Sequence, residues 1–105
     1  MIDIEFRRKP VDFEERFSAL VEQWRDDTLI LSSVAKRVMH PAYQRIIGMG
    51  PVVIPLILGE LERRPDHWFW ALTYLTDDAP AESINNFNEA SLAWLAWGRE
   101  RGLIN

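Results

Sequence analysis

Phe13, Phe17, Leu20, Val21 and Trp24 stand four, three, one and three positions apart, the spacing of one apolar stripe on a helix of 3.6 residues per turn. Glu14, Glu15, Glu22 and Gln23 take the other faces. A helix of this kind must lay its stripe against another element, because the stripe alone is too apolar for water. The only period-two alternation in the chain is Ile2, Ile4 and Phe6 against Asp3, Glu5 and Arg7. One extended segment cannot make a sheet, so the stripe commits the rest of the chain to helix-on-helix packing.

The remaining pieces are short, because proline and glycine interrupt them. Asp12 can cap the first helix, which should end near Asp27 or Thr28. Leu29, Ile30 and Leu31 then form an apolar connection expected to be covered. Ser32 or Ser33 offers a cap for a brief turn through Val38. His40-Pro41 reads as a helix entry, since proline is preorganised for the first helical position. Tyr43, Ile46 and Ile47 share a face of that helix, and Gly48 and Gly50 close it. Pro51 opens a helix to about Arg63 with Ile54, Ile57, Leu58 and Leu61 inward and a bend at Pro55. Pro65 and Asp66 begin a further element, which Asp77 to Pro80 end. A last helix runs from about Asn86 to Arg101, with Gly102 as its stop and Leu103 folding back. The expected fold is all-α: a compact bundle of about five short helices, with an extended N-terminal arm over residues 1–11 and one helical domain over 12–105. Phe17, Leu20, Trp24, Ile54, Leu58, Leu61, Trp68, Leu72, Leu75 and Trp94 should share one core.

At 105 residues the chain can bury a core without metal or disulfide support. It has no cysteine, which removes disulfides and thiolate metal sites and fits a reducing compartment such as the cytosol. Its longest apolar run, Val52 to Leu58, is interrupted by Pro55 and is far below the ~20 residues of a membrane helix. The opening MIDIEFRRKP lacks the basic-then-apolar order of a secretion signal. The expectation is therefore a cytoplasmic, unprocessed chain with no membrane partner.

The net charge of −4 argues against a general nucleic-acid binder, whose affinity rests on a basic excess. The charge is unevenly spread, however. From Thr28 to Gly59 there is no acidic residue, while Lys36, Arg37 and Arg45 supply three positive charges. Such a patch is either a solvated helix face or a contact for an acidic partner.

Residues 65 to 75 read PDHWFWALTYL. Drawn on a helix at about 100° per residue, Trp68, Ala71, Leu72 and Leu75 fall on the core side. His67, Trp70 and Tyr74 fall nearly opposite. That second face is expected either to be covered by the last helix, whose Trp94 and Trp97 need partners, or to meet a protein partner, for which tryptophan and tyrosine are favoured anchors; a small-molecule pocket is the third option.

From Gly50 to Pro80, GPVVIPLILGELERRPDHWFWALTYLTDDAP resembles one HEAT-type helical repeat, about residues 48–80. The likeness implies a helical hairpin and a scaffold that binds proteins without chemistry of its own. No second copy is present, and a solenoid needs roughly three, so the flanking helices must act as caps. HPAYQRIIGMG, DHWFWAL and WLAWGRERG are also similar to a group of short bacterial proteins of unknown function, a likeness that implies no biochemical role.

Catalytic signals are sparse. The two histidines, His40 and His67, suit a turn or cap and a helix start. There is no phosphate loop, no nucleophile elbow and no His-Glu-x-x-His pattern. The reading is a non-catalytic module for protein–protein interaction, of accessory, antitoxin or immunity type, needing no cofactor or metal. His67, Trp70, Tyr74, Lys36, Arg37 and Arg45 are its candidate contacts, and a homodimer is one form the partnership can take. A nucleic-acid-associated regulator using Arg7, Arg8 and Lys9 with the basic patch is the alternative, and a small enzyme or ligand-binding protein the third reading.

Overall fold

The computed structural model describes residues 12–105; the N-terminal arm expected over residues 1–11 lies outside them. Among the described residues there are six α-helices and no strand: α1 (Phe13–Asp27), α2 (Val34–Val38), α3 (Pro41–Gly48), α4 (Ile54–Arg63), α5 (Phe69–Thr76) and α6 (Phe87–Glu100). The all-α expectation holds. No single helix among them is long and apolar enough to cross a membrane.

Local chemistry sets most boundaries. The Asp12 carboxylate accepts from the Glu14 N–H and opens α1, the Ser33 side chain accepts from Lys36 N–H and opens α2, and Asn86 accepts from Glu89 N–H and opens α6. Each bond satisfies one of the four donors that a helix start leaves without a partner. His40 caps α3 by accepting the Ala42 N–H at Nδ1, 3.0 Å away, and Pro41 follows as the first helical residue. At the far end of α6 the Leu103 N–H bonds Gly98 C=O at 2.9 Å and the Gly102 N–H bonds Arg99 C=O at 3.1 Å. This double closure needs a left-handed residue, and Gly102 supplies it at φ 71°.

Gly50, at φ 86°, turns the chain, and the segment after it leaves α3 at 104°. The helix expected to start at Pro51 and bend at Pro55 is instead two pieces: a 3-10 turn over Pro51–Val53, then α4. Pro55 falls in the first turn of α4, where its missing N–H costs nothing, so no bend is needed. The aromatic element also starts later than the sequence suggested. Pro65 to Trp68 form a connection, and α5 begins at Phe69.

Two helix pairs make the body. α1 lies along α3, with α2 against α3, while α4 lies along α6; α5 touches both α3 and α4 and joins the pairs. The buried apolar residues form one cluster. Of the ten core residues expected, nine are buried, and Leu75 is half-buried against the same cluster in the last turn of α5. Phe13, at the start of the α1 stripe, is largely exposed. The connection Leu29 to Leu31 is not covered as expected: Leu29 and Ile30 are 77% and 93% exposed, because the buried Thr28 closes α1 and turns the chain outward, its hydroxyl donating to Trp24 C=O at 2.6 Å.

The α4–α6 contact is close. A Cβ on Gly98 would stand 2.6 Å from Leu58 Cδ1. Gly98→Ala should therefore force Leu58 aside and destabilise by about 1–3 kcal/mol. Leu72→Ala, which empties a fully buried site on α5, should cost about 2–5 kcal/mol. Urea unfolding measures both, and a Leu72→Ala loss below about half a kcal/mol would contradict the packing described.

Candidate functional site

The aromatic run is organised by a residue outside it. Tyr43, buried on α3, donates its hydroxyl to His67 C=O at 2.9 Å and accepts the Ala71 N–H at 3.1 Å. α5 has no side-chain cap of its own, so the phenol of another helix takes that part. The Tyr43 ring stacks on Trp68 at 5.4 Å and 11°, and Trp24 sits 4.7 Å from Trp68 and 5.2 Å from Tyr43. Phe17 completes the group at 6.3 Å from Trp68. Such ring pairs contribute beyond the area they bury. Trp24 Nε1 donates to Arg37 C=O at 2.7 Å, whereas Trp68 Nε1 is buried without a hydrogen-bond partner; packing alone holds that indole.

With Trp68 fixed inward, the helical period turns Trp70 and Tyr74 outward. They are 46% and 66% exposed, and their rings stack on each other at 5.6 Å and 16°. The last helix does not cover them. Its own tryptophans are satisfied elsewhere: Trp94 and Trp97 meet edge to face at 5.3 Å, Trp97 Nε1 donates to Asp78 at 2.8 Å, and the Arg101 guanidinium lies 4.4 Å over the Trp97 ring. The Trp97 hydrogen bond holds the Asp78 carboxyl below its usual range, aided by the Ala79 N–H and Arg101.

His67 does not join this face. It precedes α5, so the helical wheel does not apply to it, and its half-buried ring meets Phe87 edge-on at 5.4 Å. His40, besides capping α3, contacts Asp27 through Nε2 at 3.0 Å. With Nδ1 accepting from Ala42, the ring proton of neutral His40 belongs on Nε2.

The basic patch is likewise divided. Arg37 is not a free surface charge: its guanidinium binds Asp66 at 3.0 and 3.2 Å and stands 5.4 Å over the Trp24 ring. Arg25 binds the same carboxylate at 2.9 Å. Asp66, only 11% exposed, thereby ties α1 and α2 to the connection before α5, and it also accepts the His67 N–H at 2.8 Å. Lys36 and Arg45 are exposed and make no ion pair among the described residues. A second network joins α1 to α4, where Arg64 bridges Glu22 and the buried Glu60. The Arg64 hydrogen bond lowers the Glu22 carboxyl below its ordinary value.

No three His, Asp or Glu side chains among the described residues converge as metal ligands would. Compared with known protein families, curated proteins and solved structures, the chain matches none.

Two expectations follow from this geometry. Burial raises the Tyr43 phenol well above its ordinary value, with Asp66 adding to the effect and the Ala71 N–H opposing it. The native state therefore keeps this proton where the unfolded chain, with a tyrosine value of about 10, releases it. Stability from Tyr43 is complete below pH ~10 and falls above it by up to about 1.4 kcal/mol per pH unit. Tyr43→Phe, losing both hydroxyl bonds, should cost about 1–3 kcal/mol at neutral pH, and its deficit against wild type should shrink in urea melts above pH ~10. Arg37→Glu should cost on the order of 2–4 kcal/mol, because it leaves Asp66 facing a like charge in a half-buried site. Lys36→Glu and Arg45→Glu should stay within about 0.5 kcal/mol of wild type.

Proposed function

We propose that this chain is a non-catalytic helical module for protein–protein interaction, with the stacked Trp70 and Tyr74 as the anchor of its contact surface. The observation that carries the reading is the exposure of this pair beside a core that buries Trp24, Trp68 and Trp94. Two large rings prepacked on each other lose little conformational freedom on binding, and residues of this kind dominate the energetics of interfaces. The resemblance of the Gly50 to Pro80 sequence to a HEAT-type repeat points the same way, since repeats of that type bind proteins. An accessory, antitoxin or immunity role is the finer form of the proposal.

The exposed Lys36 and Arg45 offer an acidic partner two charges rather than three, because Arg37 is engaged by Asp66. The same loss weakens the alternative of a nucleic-acid regulator, for which phosphate contacts must accumulate.

The test begins with the isolated chain at measured oligomeric state. Acrylamide should quench part of the wild-type tryptophan fluorescence strongly, and Trp70→Phe should remove that part. Trp70→Ala should leave stability within about 1 kcal/mol of wild type, whereas Trp68→Ala should cost about 3–5 kcal/mol. Against a partner captured from the native cell, Trp70→Ala should cost about 2 kcal/mol or more in affinity. Undiminished affinity in that variant would move the contact surface elsewhere.

A further inference from the structure

From Pro65 to Gly98 the chain contains no lysine or arginine. The structure folds part of this stretch around a cavity of ≈ 460 Å³ between α5, the connection after it and the start of α6. That volume lies within the range of small-ligand clefts, roughly 300–1,000 Å³. Phe69, Phe87 and Trp94 give it aromatic walls, and the small side chains of Ala81 and Ala90 leave the space between them. Phe69 and Phe87 stand 5.3 Å apart at 49°, so their rings form an angled corner. Among the lining residues Glu82 alone is ionisable.

Glu82 is exposed and makes no ion pair among the described residues. The arginines of α6 and its end are committed elsewhere, Arg99 to Glu62 and Arg101 to Asp78. The N-terminus of α6 also borders the cavity, and its partial positive charge of about half a unit would favour an anion. Glu89 in the first turn of that helix opposes it, and with Glu82 the local balance is negative. Aromatic ring faces attract cations as well. The cavity is therefore lined by aromatic side chains and by one carboxylate with no ion-pair partner among the described residues, and no cationic side chain is among its lining.

We propose that this cavity binds a small organic cation: an apolar, preferably aromatic body lying against Phe69, Phe87 and Trp94, and an ammonium group paired with Glu82. The site uses residues other than Trp70 and Tyr74, so it stands or falls apart from the protein-interaction reading. Three probes of one shape and different charge test it on the full chain: 1-naphthylmethylammonium, neutral 1-naphthylmethanol and anionic 1-naphthoate. Titration calorimetry gives the affinities, and amide shifts at Ala81 and Ala90 report the location. The cation should bind at least about fivefold tighter than the alcohol, as a cation–π contact together with an exposed carboxylate pair implies, and naphthoate should bind weakest. Glu82→Gln should abolish the preference for the cation over the alcohol. Glu82→Lys should invert it in favour of naphthoate, and both changes fall on an exposed side chain that the fold does not need. Equal binding of cation and alcohol to wild type, an unchanged preference in Glu82→Gln, or no shift at Ala81 and Ala90 at millimolar probe would each overturn the proposal.

Discussion

The Tyr43 hydroxyl joins the two parts of this fold. It lies on α3, which packs with α1, yet both of its hydrogen bonds go to the start of α5. Without it, Ala71 would present an orphan N–H in a buried position, a cost of the same order as the hydrogen bond itself. The ring beneath that hydroxyl stacks on Trp68 and packs against Trp24, and those two indoles also touch each other. One residue thus anchors the start of α5 and packs the ring of Trp68 inward.

Much of the secondary structure was legible because it depends on neighbours in sequence. Asp12, Ser33, His40-Pro41 and Gly102 act within four residues of themselves, and each does in the structure what its chemistry suggested. The α1 stripe also read true from Phe17 to Trp24. What could not be read were the arrangements set by distant residues. Asp66 read as the beginning of a helical element and is instead clamped by Arg25 and Arg37, 41 and 29 positions away. That clamp removes Arg37 from the surface where sequence placed it, and it holds residues 65 to 68 out of the helix. Once α5 starts at Phe69, His67 leaves the face of Trp70 and Tyr74. The cavity beside Phe69 and Phe87 had no local signal at all, since its walls are contributed by three separate segments.

Charge is segregated along the chain and recombined by folding. The stretch from Thr28 to Gly59 has no acid, and that from Pro65 to Gly98 has no lysine or arginine. Asp27 reaches His40, and Asp66 reaches Arg37. Arg25, Arg37, Arg99 and Arg101 thus meet carboxylates of other segments, and only Glu60 among the described residues pairs along its own helix, with Arg63 and Arg64; the cross-helix pairs favour one arrangement of the helices over compact alternatives that would leave like charges together. Lys36, Arg45 and Glu82 are exposed and meet no counter-charge among the described residues.

The position of Trp68 has a consequence for how the chain comes to be folded. Phe17, Trp24 and Tyr43 occupy the first half of the sequence, but the indole that packs against all three arrives with residue 68. During synthesis from the N-terminus, Trp24 and Tyr43 can meet each other, but α1 to α3 emerge without Trp68, and Arg25 and Arg37 without Asp66. The first half therefore has no finished core to close on, and consolidation waits until the second half has left the ribosome. Until then the nascent chain carries exposed apolar surface of the kind that chaperones hold.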